Sequence, residues 1–361
     1  MDKKEFMNLL ELHILQSFPV SCLNRDDVGS PKTAIFGGEN RARISSQCLK
    51  RAIREHAQLN FPRARFNGQR TCFVIEPLKQ ALQKYGMDEE AAKKHAYTIA
   101  DLLSGLDAKS VKEGKKPKVT TLLFLSPAEI DTLAKKTVQM AEVKDAKTLA
   151  KFCKDVDLCD AADIALFGRM VAKDSSLTLE GAGMFSHALS THRSENEIDF
   201  YSAVDDRKTL DDDAGAAMLG SLEFNSAVYY RYAALNLDLL FDENHLGKLA
   251  SQERKELIDA FIRSTLMAIP KARRNSMNAH TLPSFVLGTI KKKGQPVQLI
   301  NAFEKAVRAI NGKSLIEASI NRLKAHSEDL KSTWGIETVF EAILPEKSLN
   351  DFCSEMINHV Q

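Results

Sequence analysis

The sequence predicts an α+β fold built from strand, helix, strand, strand, helix and strand, and three runs of residues carry that prediction. Near the N-terminus Leu10, Leu12 and Ile14 alternate with Glu11 and His13, the period of two of a half-buried strand over residues 7 to 16. Leu49, Ile53 and Ala57 recur at i, i+4 and i+8, the apolar stripe of a helix. Ser221 to Leu237 reads SLEFNSAVYYRYAALNL, with aromatics and valine at strand spacing, and is followed by the helical grouping Leu257, Ile258, Phe261 and Ile262, which Pro270 stops.

The remaining elements follow in order. After the first strand comes a long loop holding Gly37 and Gly38, then Arg41 and Arg43, then Ser45 or Ser46 as the cap of the first helix. Residues 63 to 163, rich in Ala, Lys and Leu, read as a helical insertion. One of its helices is marked by Ser126, Pro127 and Glu129, a capping serine with proline at the first helical position and glutamate three residues after the cap. Ile164 and Leu166 read as a buried second strand running into Gly168, Arg169 and Met170. Residues 194 to 221 hold Phe200 and Tyr201 among aspartates, with little to form a core, and read as a protruding loop. A last strand, Ser284 to Ile290, leads into Lys291, Lys292 and Lys293. With the insertion and the loop set aside, the order is that of a ferredoxin-like split βαβ fold, the architecture of the RNA-recognition motif. The expected core segments are then 1–62, 164–193 and 222–361.

Composition narrows the function. The 361 residues include 50 basic and 48 acidic side chains, a formal charge of +2, so a nucleic-acid surface here is a local patch and not a property of the whole chain. No apolar run is long enough to cross a membrane, and MDKKEFMN lacks the hydrophobic run of a secretion signal, so a cytoplasmic protein is expected. The six cysteines form no C-x-x-C pair, which argues against a zinc site or a disulfide framework and for reduced thiols.

The chemistry with the clearest pattern is phosphate binding. A glycine pair lets backbone amides approach an anion, the arginines follow at once, and the capped helix adds unpaired N–H groups at its start and Lys50, Arg51 and Arg54 along one side. The competing reading is a merely solvated basic face. Phe200 and Tyr201, exposed on a loop, need a surface to bury against; stacked bases supply one, and Met170 beside Arg169 offers a second apolar wedge. Arg63, Arg65 and Arg70 could extend the basic surface, while Lys271, Arg273, Arg274 and Lys291 to Lys293 fit turns as well as phosphates. The carboxylate pairs and triplet, Asp26–Asp27, Asp205–Asp206 and Asp211–Asp213, lie in loops without a histidine partner, and His187 and His192 read as hydrogen-bonded structural residues. No catalytic group, metal or cofactor is expected.

These segments carry a resemblance. LNRDD, AIFGG and RISSQCLKRA, then DIALFGRM, SHALSTHRSENEIDFYSAVDD, LEFNSAVYYRYAALNL and NAFEKAV, in this order, resemble the CasC family, the repeated backbone subunit of the type I-E CRISPR Cascade complex. The similarity runs through the first sixty residues and from about 160 to 307, and is weaker across the insertion and the C-terminal tail. It implies a right-hand shape with an RNA-recognition-like palm, a helical fingers insertion and a thumb loop. It implies partners too: CRISPR guide RNA, target DNA through the guide, further copies in a helical filament and the other Cascade subunits. Carried over residue by residue, Arg41, Arg43, Lys50 and Arg54 would grip guide phosphates, Met170 and Tyr201, with Phe200 adjacent, would flank a displaced base, and Asn24, Arg25, Gly37, Gly38, Ser45, Ser46, Gln47, Arg51 and Arg169 would also meet the RNA. The alternatives are a metal-dependent ribonuclease of type III-like complexes using Asp26 or Asp27, and a single-strand RNA-binding module outside CRISPR defence.

Overall fold

In chain order the elements are β1 (Met7–Ser21), β2 (Thr33–Phe36), β3 (Glu39–Ile44), α1 (Ser46–Asn60), β4 (Gln69–Thr71), α2 (Ile75–Lys84), α3 (Glu89–Ser104), β5 (Leu123–Leu125), α4 (Pro127–Val138), α5 (Ala162–Phe167), β6 (Gly183–Phe185), β7 (Ala188–Ser190), β8 (Glu197–Ala203), β9 (Met218–Asn236), α6 (Leu237–Leu240), α7 (Ser251–Met267), β10 (Phe285–Gly294), α8 (Leu315–Trp334), β11 (Phe340–Leu344) and α9 (Leu349–Asn358). The structure is a computed structural model that describes residues 7–109, 116–140, 148, 152, 160–170, 178–203, 218–309 and 312–360. Asp205, Asp206, Asp211, Asp212 and Asp213 lie outside the described residues, as do Cys153 and Cys159. Two compact units are present: the first comprises Met1–Ile53, Phe185–Ala234 and Ile262–Gln361, the second Arg54–Met184 and Leu235–Phe261.

The first unit is an antiparallel sheet in the order β11-β10-β1-β9-β7-β3-β2. Its inner four strands, β10-β1-β9-β7, are the fourth, first, third and second strands of a split βαβ fold, with α1 between the first and second in sequence and α7 between the third and fourth. The α+β class and the strand order therefore agree with the sequence. One strand does not: Ile164 and Leu166 belong to the helix α5, and the second strand is the three-residue β7. A short continuous apolar run fits a buried helix as well as a strand, because neither period can be seen in it. The stripe on α1 is as expected, with Leu49, Ile53 and Ala57 at 3%, 1% and 0% exposure.

The second unit holds the helices α2, α3 and α4 around Leu78, Leu82, Ala96, Ile99, Leu103 and Leu133, with the small sheet β4–β5 beside them. The α4 cap is the expected capping box: Ser126 Oγ accepts the Glu129 N–H at 3.1 Å, and the Glu129 carboxylate accepts the Ser126 N–H at 2.9 Å.

A polar cluster sits inside the first unit's sheet. The Glu11 carboxylate is fully buried and accepts from Tyr232 OH at 2.7 Å, Thr289 Oγ1 at 3.2 Å and the Val297 N–H at 3.0 Å, and it pairs with the buried Lys291 ammonium at 2.5 Å. The four partners come from β9, β10 and the segment after β10, so one carboxylate fixes three pieces of chain. Beside it, Tyr230 OH accepts the Leu299 N–H at 2.7 Å and is hydrogen-bonded to His13 Nδ1 at 2.9 Å.

Burial, foremost, with Lys291 adding to it against the pull of Glu11, holds the His13 pKa down at about 4. An unfolded imidazole titrates near 6.5, so between pH 6.5 and 4 the unfolded chain binds more protons than the folded one, and stability falls as pH falls through that window. At 1.36 kcal/mol per pH unit, His13 contributes about 3 kcal/mol at neutral pH that is gone below pH 4. Urea unfolding of His13→Gln is expected to show a flatter loss of stability between pH 7 and 4.5 than the wild type; parallel curves would assign the acid sensitivity to other groups.

Candidate nucleic-acid interface

Gly37 and Gly38 form the two-residue turn of the β2–β3 hairpin, pairing Phe36 with Glu39, and both have positive φ, 59° and 76°. That is the turn geometry only glycine adopts without strain in a hairpin this tight. A Cβ at Gly37 would overlap the carbonyl oxygen of Glu304, so this glycine makes room for backbone of its own chain. The expected phosphate-cradling loop is thus a hairpin, and Gly37 faces protein.

Arg41 requires a second correction. It is 0% exposed, and its two terminal nitrogens donate to four backbone carbonyls: Ser190 at 3.1 Å, Thr191 at 2.9 Å, Phe303 at 3.0 Å and Glu304 at 3.0 Å. Its guanidinium lies 5.7 Å from the Phe36 ring centroid, its Nε has no partner, and among the described residues no carboxylate pairs with it. Loss of hydration, foremost, lowers its pKa. Arg41 therefore ties the hairpin to the end of β7 and to the 303–304 segment, and does not reach a ligand.

What faces outward lies close by. Arg43 is partly exposed; its Nε donates to Thr33 O at 3.1 Å, and its terminal nitrogens have no further partner among the described residues. Asn24 Oδ1 accepts the Ser45 N–H at 2.9 Å, and Ser45 Oγ accepts the Cys48 N–H at 3.3 Å, so Ser45 is the cap and Asn24 positions it. The Ser46 N–H goes to His187 Nδ1 at 3.1 Å, and the His187 pKa is lowered by burial first and by Arg43 and Lys32 next, which places these three cationic or polar groups around the start of α1. Lys50 Nζ lies 5.4 Å from the Phe185 ring centroid; Gln47, Arg51 and Arg25 are exposed. Lys32, Phe185 and His187 are the members that sequence reasoning left out of the cluster. A lysine before a strand and an aromatic 135 positions from Lys50 carry no local signal.

In the second unit, Arg54 is largely covered: Nη1 donates to Gly68 O at 3.3 Å, lies 3.9 Å from the fully buried Asp163 carboxylate, and the guanidinium is 5.4 Å from the Phe124 centroid. Burial, against Gly68 N–H and Arg54, pushes the Asp163 pKa up to about 6. Arg169 is also a structural residue. It is buried, donates to Phe124 O at 3.1 Å and pairs at 2.6 Å with Glu129, the same glutamate that caps α4. Neither matches the expected phosphate or base contact. Met170, next to it, is 84% exposed.

Residues 197–203 and 218–224 form a two-stranded ribbon in which β8 is exposed throughout. Phe200 opposes Ser221 and Tyr201 opposes Gly220, so the two neighbouring aromatics point to opposite faces. Ile198, Phe200 and Leu219 share one face; Tyr201, Met218, Glu197 and Asp199 share the other. Tyr201 lies over Gly220, where any Cβ would collide with its ring, and is 43% exposed against 77% for Phe200. The base of the ribbon is pinned to the basic hairpin: the Ser194 N–H donates to Asn40 O at 3.1 Å, Asn40 Nδ2 to Ser194 O at 2.9 Å and Asn196 Nδ2 to Pro31 O at 3.2 Å. Sequence reasoning missed these asparagines, and only the THRSEN segment's polar density hints at them.

The other candidates separate cleanly. Asp26 Oδ1 accepts the Val28 and Ser30 N–H groups at 3.1 and 2.9 Å, the work of a turn-forming aspartate. Among the described residues no group of three or more His, Cys, Asp or Glu is gathered to hold a metal ion. His192 takes the Val228 N–H on Nε2 at 3.1 Å and gives Nδ1–H to Arg193 O at 2.7 Å, a structural role. Lys291 is buried against Glu11, while Lys292 and Lys293 are exposed.

Arg41→Ala, which strands four buried carbonyls, is expected to lower the unfolding free energy by about 3 kcal/mol or more, whereas Arg43→Ala changes it by less than about 0.5 kcal/mol. Chemical denaturation measures both; equal losses would contradict the separation of inner from outer arginine.

Comparison with known proteins places the chain. No curated protein matches it. Over its whole length it is similar to a chain of a solved "CRISPR RNA-guided surveillance complex, pre-nicking", with 28% identity, a TM-score of 0.80, and coverage of 98% of this chain and 100% of that chain. A chain of another solved "CRISPR RNA-guided surveillance complex" has the same fold at 23% identity and a TM-score of 0.68, covering 97% of this chain and 99% of that one. Among the described residues no helix is long and apolar enough to cross a membrane. The profile of the CT1975-like protein family matches residues 10–356, and the chain belongs to that family.

Proposed function

We propose that this chain is a non-catalytic, CRISPR-guide-binding backbone subunit of a Cascade-type surveillance complex. The observation that carries the reading is the full-length similarity to a chain of an RNA-guided complex, at 28% identity and a TM-score of 0.80. The geometry supports it: a neutral protein concentrates Lys32, Arg43 and Lys50 at the start of one helix, and a ribbon with exposed apolar side chains is hydrogen-bonded to the same hairpin. A guide carrier must hold any sequence, so it grips phosphates and base faces and leaves pairing edges free. Copies stack head to tail along the guide, target DNA pairs with the held strand, and other subunits of the complex complete the assembly in the cytoplasm. The helical unit serves as the fingers and the ribbon as the thumb.

The ribbon's two faces differ in charge, and this favours different roles for them. Glu197 and Asp199 flank Tyr201 and repel phosphates, whereas the Phe200 face carries Ile198, Leu219 and two serines, with its one carboxylate, Glu223, engaged by Asn196 at 3.2 Å. Phe200 is then the wedge that displaces a base, and Tyr201 supports the ribbon from behind by covering Gly220.

Sequencing the RNA that copurifies with the protein tests the reading directly: spacers joined to a common repeat handle are expected, and random cellular RNA would overturn it. Arg43→Ala and Lys50→Ala should each flatten the salt dependence of guide binding by about 0.7 log unit, equally for unrelated spacers; a loss confined to certain spacers would contradict phosphate binding. With 2-aminopurine at the displaced position, Phe200→Ala should quench the fluorescence gain while Tyr201→Ala largely keeps it. The reverse result would exchange the roles of the two faces.

A further inference from the structure

The second unit carries a surface that the guide-binding reading does not use. On β4 Arg70 stands opposite Phe124 of β5, and its guanidinium lies 4.6 Å from that ring's centroid, with Arg54 at 5.4 Å from the same ring. Three residues on, Phe73 is 42% exposed with the Lys116 ammonium 5.1 Å from its centroid. Leu122, 63% exposed, and the exposed hydroxyl residues Thr120 and Thr121 complete the edge. Among the described residues neither Arg70 nor Lys116 has a carboxylate within ion-pair distance. The nearby acids are engaged elsewhere: Asp163 is buried toward Arg54 and Gly68, Asp107 pairs with Lys118 at 3.4 Å, and Glu76 with Lys79.

An exposed guanidinium seated on the buried Phe124 ring, followed by an exposed phenyl ring paired with an exposed ammonium, has the make-up of a single-strand nucleic-acid platform. Guanidinium planes and phenyl faces stack bases of any identity, and the same cations neutralise the phosphates between them. A protein partner suits the edge less well, because among the described residues Leu122 and Phe73 are its only exposed large apolar side chains and a stable protein interface needs a broader apolar centre. We propose that Arg70, Phe73 and Lys116 form a second site for single-stranded nucleic acid, blind to base sequence.

The test uses the full-length chain titrated with fluorescein-labelled homopolymers of about six nucleotides. Wild type is expected to bind two oligomers. Arg70→Glu with Phe73→Ala should bind one, Arg43→Glu with Lys50→Glu the other one, and the four together none; Phe73→Trp should retain the second site. Ultraviolet crosslinking should mark the peptide around residues 69–73 in wild type and lose that mark in the Arg70→Glu, Phe73→Ala chain. Tighter binding of oligouridylate than oligothymidylate would identify the occupant as guide, and the opposite order as target strand. Unchanged stoichiometry and affinity in Arg70→Glu with Phe73→Ala would overturn the second site, as would an acidic peptide displacing the oligomer from it at equal or lower concentration. Loss in the Arg43→Glu, Lys50→Glu chain bears only on the hairpin site, so the two assignments fail separately.

Discussion

A buried cation without a carboxylate has to be satisfied by something, and the way Arg41 is satisfied organises the first unit. Its planar fork addresses carbonyls at 190 and 191 on one side and at 303 and 304 on the other, a set that lysine, with a single nitrogen, could not span. Gly37 is required by the same arrangement, since only a missing side chain lets the Glu304 carbonyl come close to the turn. Ser190 takes part as well, its hydroxyl accepting the Ala42 N–H at 3.1 Å and donating to His192 O at 2.7 Å. The hairpin is thereby fixed in place, and with it the outward direction of Arg43. The interior arginine positions what the exterior one does.

That division explains what the sequence could and could not disclose. Strand order was readable because period two and period 3.6 are local properties, and β1, α1, β9 and α7 are long enough to display them. The second strand was not, since β7 has three residues and borrows its definition from pairing with β3 and β9. Arg41 and Arg43 are indistinguishable in sequence: both follow a glycine pair, both sit at alternate positions. What separates them is a set of carbonyls 149 to 263 residues away, and no window along the chain contains that information. The same holds for Arg169, whose partner Glu129 was legible only as a helix cap. The sequence shows the basic residues as a group; which of them are spent on the fold is decided by long-range contact.

The ribbon shows a different limit. Adjacent aromatics invite a reading as one feature, yet strand geometry sends them to opposite faces, and the register with β9 gives each face its own company of charges. An exposed pair that looks redundant in sequence is two surfaces with two electrostatic characters. Gly220 adds to this, because Tyr201 can lie flat across the ribbon only where its opposite residue lacks a side chain. A ribbon this exposed draws little stability from burial, so its direction depends on the hydrogen bonds at its base, where Asn40, Ser194, Asn196 and Asn225 join it to the hairpin side of the sheet.

Overall neutrality follows from the same logic as the clustered cations. A carrier of many different RNA sequences gains affinity from phosphates, and affinity of that kind rises with every exposed cation, specific site or not. A chain whose 50 basic residues were unopposed would bind nucleic acid all over its surface and lose any preferred path for the strand. Here 48 acidic residues cancel the field at a distance, and many cations are held in ion pairs or beneath the surface, as Lys291, Arg169 and Arg41 are. Beyond a Debye length of about 8 Å such a surface looks uncharged, so attraction is felt only where exposed cations stand together. Under the proposed function, a bound strand follows the places where they do: Lys32, Arg43 and Lys50 at the start of α1, and Arg70 with Lys116 beside the β4–β5 sheet.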